Sequence, residues 1–177
     1  MKEMILLVLG FVLVNNYALT AYLGLTPLLG FSGRGEKILV LGLSVTGVTL
    51  LTAVLLWLLR AVIPAYWQIL AAVVLVLALV YLLQRLLGKS LGIWFPAIAL
   101  NSAVLGLALN VLEAETLATV ILSALGVGLG FLLGLFLLSG VQERIEEHHL
   151  PKAFRGFPIQ ILAAAIVALA LTAFNFQ

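Results

Sequence analysis

Residues 14–31 read VNNYALTAYLGLTPLLGF. The stretch lies inside the first long apolar run, and apolar residues continue on both sides of it. Asn15 and Asn16 each carry an amide that hydrocarbon cannot satisfy. Pro27 removes a backbone donor and pushes Thr26 out of helical geometry. Gly24 and Gly30 let the chain turn or approach a neighbour closely. At membrane depth such an interruption is tolerated only where protein or a cavity covers it. The stretch therefore predicts a broken membrane helix, buried at a protein contact.

Working outward, the composition agrees with a membrane setting. The 177 residues are 64% hydrophobic and 9% charged, with mean hydropathy +1.29. A soluble domain carries about 25% charged residues. At about 20 residues per span, the length fits an all-α integral membrane protein of six helices in a single domain, 1–177. The first apolar run lacks a small-residue cleavage site followed by a polar chain, so it reads as a span and not as a signal peptide. The absence of Cys excludes thiolate ligation and disulfides. Basic residues are sparse and sit at helix ends, which argues against nucleic acid as a partner.

Span one covers 4–31. As one straight helix it would be about 42 Å long, against a hydrocarbon core of about 30 Å. The Asn pair and Thr26-Pro27 choose a break. The loop SGRGEK (32–37) follows and reads as a flexible turn. Span two covers 38–59, where Ser44, Thr46, Thr49 and Thr52 fall mostly on one side with Gly42 and mark a helix–helix contact. Span three covers 63–83, with Pro64 in its first turn and Tyr66 and Trp67 at interface depth. Span four, 91–112, holds the second interruption, with Pro96 near its start and Asn101, Ser102 and Gly106 at mid-span. Span five, 115–141, carries Gly126, Gly130 and Gly134 at four-residue spacing, a packing stripe that Gly128 widens. Pro151 ends the polar segment 142–157, and its His148 and His149 read as solvated, not as a metal site. Span six covers 158–176.

Six spans place Lys2 and Arg60 on one side, and Arg34, Lys37, Arg85, Lys89, Arg144, Lys152 and Arg155 on the other. Positive loops stay cytoplasmic, so both termini face outward. The halves 1–90 and 91–177 each hold three spans and open with an interrupted one. They read as inverted repeats whose broken helices meet near the midplane. All acidic residues are Glu at span ends, so no span carries the internal charge that ion pumps use. The remaining chemistry belongs to midspan Asn, Ser and Thr side chains. No catalytic set is present.

Three segments together resemble a family. LVNNYALTAYLGLTPLLGFS resembles the opening of the RnfA/NqrE-type membrane subunits of Rnf and sodium-pumping NADH:quinone oxidoreductase complexes. ALNSAVLG is similar to that family's Asn-Cys-Ala-Val-Leu-Gly motif, and ERIEEHHLPKAFRGFPIQIL to its segment ending in Pro-x-x-Phe-Arg-Gly. The resemblance implies a non-catalytic subunit of a bacterial or archaeal inner-membrane electron-transport machine coupled to Na⁺ or H⁺ movement. It implies a paralogous six-helix partner in the opposite orientation, or an inverted self-dimer. It also implies a binuclear iron–sulfur cluster between the partners, held by two Cys from each. The family's ligand positions fall here on Thr26 and Ser102, which are not thiolates. Three explanations stay open: a cluster-free homologue, a sequence deliberately freed of cysteine, or a partner supplying every ligand. Asn15, Asn16, Gly24, Pro27, Asn101 and Gly106 are the expected structural polar and small residues at the breaks. The competing expectations are a small transporter or channel lined by Thr26, Ser102 and the Asn amides, or a cluster-free oligomeric scaffold.

Overall fold

The computed structural model describes residues 2–24, 29, 36–87, 98–99, 101–146, 151 and 154–173. Among them every regular element is helical. Helix α1 (Lys2–Leu9) continues into a π-helical turn, Gly10–Val14. Then come α2 (Glu36–Leu59), α3 (Gln68–Leu87), α4 (Ser102–Asn110), α5 (Leu117–Glu146) and α6 (Phe157–Thr172). Stretches within α2, α3 with its leading turn, and α5 are long and apolar enough to cross a membrane. The shorter apolar helices Met4–Val14 and Ser102–Glu113 reach only about 16–18 Å, roughly half a hydrocarbon core. Among the described residues, the two interrupted runs thus hold helices of about half that length, one in each half of the chain.

The core runs along α2 and α5. Leu41, Val45 and Val48 of α2 pack with Phe131, Leu135 and Leu138 of α5. A second cluster joins Ala53, Leu107, Val111, Val120, Ala124 and Val127 across α2, α4 and α5. Apolar burial gives little drive inside a bilayer, so close backbone approach must do more of the work. Small residues permit it here. A methyl group at Gly42 would meet the Leu132 side chain, and one at Gly128 would meet Thr46 at 2.5 Å. On the adjoining face of α5, a methyl at Gly126 would meet Phe11 Cβ at 2.8 Å, and one at Gly130 the Phe11 carbonyl at 2.9 Å. Gly126, Gly128, Gly130 and Gly134 are all buried. The glycine stripe is the packing face that its spacing predicts, with α1 on one side and α2 on the other.

Helices α3 and α6 lie at the periphery. In α3, Ala72, Val76 and Val80 are buried, while Ile69, Leu70, Val74, Leu77, Leu82 and Leu86 are exposed. This one-sided burial suits a helix with lipid or a neighbour on its outer face. The boundaries of α3 and the end of α5 differ from the sequence reading by four residues or more. Pro64 precedes the 3-10 turn Ala65–Trp67, and α3 proper begins only at Gln68, because Pro64 holds an extended ψ of 147°. Helix α3 runs on to Leu87, and α5 continues past residue 141 to Glu146, since no breaker stops either helix earlier. Thr116 caps the start of α5, its hydroxyl accepting the Thr119 N–H at 3.2 Å. His148 and His149 lie outside the described residues.

Candidate functional site

The first interruption starts where α1 widens. The Asn15 N–H donates to the Gly10 carbonyl at 2.7 Å, five residues back, and closes the π turn. Helix ends leave carbonyls and N–H groups without partners. Asn16, fully buried, supplies both kinds. Its Nδ2 donates to the Val12 carbonyl at 2.8 Å and to the Gly130 carbonyl of α5 at 3.0 Å. Its Oδ1 accepts the N–H groups of Ala18 at 3.0 Å and Leu19 at 3.1 Å. The amide therefore uses two donors and two acceptor positions, its full capacity. The Asn16 carbonyl in turn accepts from the Thr20 N–H, the Ala21 N–H and the Thr20 hydroxyl.

The chain then passes through two left-handed residues, Tyr22 at φ 56° and Gly24 at φ 79°. Tyr22 carries a Cβ there, a conformation that costs of order 1 kcal/mol. Gly24 is needed twice over, for its φ and for space: a methyl on it would collide with Asn101 Oδ1.

The second interruption is built on Asn101, 2% exposed. It stands at the N-cap of α4 with φ −76° and ψ 104°. Its Oδ1 accepts the Ala103 N–H at 3.0 Å, and its carbonyl accepts the Val104 N–H at 3.1 Å. Its Nδ2 is buried without a hydrogen-bond partner among the described residues.

The two interruptions touch. The Gly24 N–H donates to Ser102 Oγ at 2.8 Å. Gly106 lies under the Leu23 and Tyr17 side chains, where an added methyl would meet Leu23 Cδ1 at 2.9 Å. The structure thus brings together Gly24, Asn101, Ser102 and Gly106, while Asn16 anchors the same turn to α5. Ser102 is exposed and Asn15 is exposed. Asn15 lines an open polar cleft of about 430 Å³ with Phe11, Tyr17, Thr20, Ala21 and Asn110. Thr26 and Pro27 lie outside the described residues.

The donor set is neutral. The binuclear iron–sulfur cluster implied by the family resemblance is held by thiolates. Ser102 offers a hydroxyl that already accepts the Gly24 N–H, and the chain has no Cys. These residues do not fit such a cluster. Along α2, Ser44, Thr46 and Thr49 bond the carbonyls of Val40, Gly42 and Val45 in their own helix. Their hydroxyl protons are turned inward to the backbone and give no continuous polar lining.

One constellation escaped the sequence reading. Arg60 donates to the Leu112 carbonyl at 3.0 Å and to the Ala114 carbonyl at 2.6 Å, closing the C-terminal end of α4 and its trailing 3-10 turn. Trp57 Nε1 shares the Ala114 carbonyl at 3.0 Å, and the guanidinium lies 4.4 Å from the Trp57 ring centre. The signal was an Arg three residues after a Trp at a span end. Its partners lie 52 and 54 residues away, beyond the reach of local pattern.

Comparison with known proteins adds a family context. A family model described as "Rnf-Nqr subunit, membrane protein" matches residues 4–177. The A subunit of the ion-translocating oxidoreductase complex of Syntrophotalea carbinolica is 36% identical over 98% of this chain and 97% of its own length. The A subunit of the Na(+)-translocating ferredoxin:NAD(+) oxidoreductase complex of Acetobacterium woodii is 34% identical over 97% and 96%. The A subunit of the ion-translocating oxidoreductase complex of Rhodobacter capsulatus is 33% identical over 98% and 97%.

Proposed function

Since the chain belongs to the Rnf-Nqr family of membrane subunits, we propose that it serves as a membrane subunit of an ion-translocating electron-transport complex, in the position that the A subunits of its relatives hold. The carrying observation is near-full-length similarity to several such A subunits, together with two interrupted spans that interlock at Gly24 and Ser102. The role is that of a scaffold, because the chain brings no thiolate to the family's ligand positions, Thr26 and Ser102.

On this reading the chain crosses the membrane six times as two inverted repeats, 1–90 and 91–177, with both termini outside. The parallel between the breaks supports the repeat: Asn16 and Asn101 each stand before a turn of helix and accept the N–H two residues ahead. The partner is a paralogous six-helix subunit in the opposite orientation, or a second copy inverted. Affinity purification of the tagged chain from its native membranes tests the assignment. Co-purification of flavin- and iron-containing subunits is the expected result, with no iron bound to the chain purified alone. Recovery of the chain by itself, moving ions in proteoliposomes, would instead establish the transporter alternative.

A further inference from the structure

A groove between α2 and α3 has no part in the interlocked breaks. Leu43, Ser44, Gly47, Val48 and Leu51 form one wall, and Leu79, Leu82, Leu83 and Leu86 form the other, around about 280 Å³. On each helix these positions follow i, i+3 and i+4 spacing, so the groove runs along the helix axes. Its floor is open because Gly47 has no side chain, and nothing lies within 4 Å of where a Cβ would stand. Its one hydroxyl, on Ser44, is spent on the Val40 carbonyl at 2.6 Å. The lining is therefore hydrocarbon in chemistry as well as in name.

From these features we propose that the groove binds one acyl chain of an anionic phospholipid. Three observations select this occupant. Length is the first: Leu43 to Leu51 covers about 12 Å of helix, close to the roughly 15 Å thickness of one hydrocarbon leaflet. Chemistry is the second: eight of the nine lining residues offer only hydrocarbon or backbone, and the Ser44 hydroxyl is already spent on Val40, so the lining offers a polar occupant nothing to pair with. Charge is the third. Lys37 is exposed and shares the helical stripe of Ser44, Val48 and Leu51, about 9 Å below Leu43 on the axis. Arg85 stands at the same end of α3, exposed and bonded to the Tyr81 hydroxyl. A phosphate group at that end of a chain seated in the groove meets Lys37, while Arg85 adds positive potential from the adjoining face of α3. The leaflet is the cytoplasmic one on the orientation proposed above, whereas the site itself does not depend on that orientation.

The test is native mass spectrometry of the full chain in detergent, mixed with equal phosphatidylglycerol and phosphatidylcholine. One retained phosphatidylglycerol per chain is expected. Replacing Lys37 and Arg85 with Gln should lower the preference for phosphatidylglycerol by about fivefold per cation. Gly47→Leu fills the open floor and should abolish retention of both lipids, with the gel-filtration profile unchanged and thermal unfolding no lower than in the wild type. Equal retention of the two lipids by the wild-type chain would overturn the proposal, as would lipid binding that survives Gly47→Leu. Because the chain has no Cys, Gly47→Cys also provides a single cross-linking site. Efficient cross-linking from it to a neighbouring subunit in native membranes would replace the lipid with a protein occupant and overturn the proposal too.

Discussion

Asn16 and Asn101 look alike in sequence but differ in what they leave unpaired. Asn16 makes four side-chain hydrogen bonds, two of them to N–H groups that otherwise face an apolar interior. Asn16→Leu should destabilise the detergent-solubilised chain by about 2–4 kcal/mol, less than a sum of isolated bonds because membrane-embedded unfolded states find other partners. Thermal unfolding followed by circular dichroism measures this. Asn101 makes one capping bond through Oδ1, and its Nδ2 is buried without a partner among the described residues. Asn101→Ser retains a capping oxygen and removes that donor, so the isolated chain should stay within about 0.5 kcal/mol of wild type or gain stability. A loss above about 1 kcal/mol would mean that the amide has an acceptor in the isolated chain. Gly24 combines φ 79° with contact against Asn101, so Gly24→Ala should cost about 1–3 kcal/mol.

Within α5, glycines separate by what they face. Gly130→Ala puts a methyl 2.9 Å from the Phe11 carbonyl, and Gly126→Ala puts one 2.8 Å from Phe11 Cβ. Each should destabilise by about 1–3 kcal/mol as α1 is pushed away. Gly140→Ala, in the same helix with nothing within 4 Å, should stabilise by up to about 1 kcal/mol through helix propensity. The contrast between the variants in one thermal-shift series checks the packing face directly. Between elements, Arg60→Ala should lose about 1–2 kcal/mol by freeing the Leu112 and Ala114 carbonyls. Much at this scale was legible beforehand. Four-residue glycine spacing on an apolar helix has one common use, and Asn and Gly inside apolar runs announced both breaks. What sequence could not provide was pairing. No periodicity tells that Asn16 reaches Gly130 and not a residue of α4, or that Ser102 accepts from Gly24, because those choices depend on how the helices are arranged around one another. The extended ψ at Pro64 was likewise invisible, since Pro suits both a first helical turn and the residue before one.

At the scale of the whole molecule, the proposed orientation rests on loop charge, and a cysteine-free chain makes it measurable. Single variants Lys2→Cys and Lys37→Cys should divide under a membrane-impermeant maleimide. The first should be labelled in intact cells and the second only after permeabilisation; the reverse pattern would invert the topology. The fold also has a temporal side. The amide of Asn16 reaches a carbonyl 114 residues later in the chain. At a synthesis rate of about 5–20 residues per second, that carbonyl leaves the ribosome roughly 6–23 s after the asparagine. Until then that one bond is missing, while the amide's other three, to Val12, Ala18 and Leu19, are formed within four residues of it. A nascent chain arrested before α5 holds this turn by local bonds alone, and should be cleaved faster by a membrane protease than the complete chain.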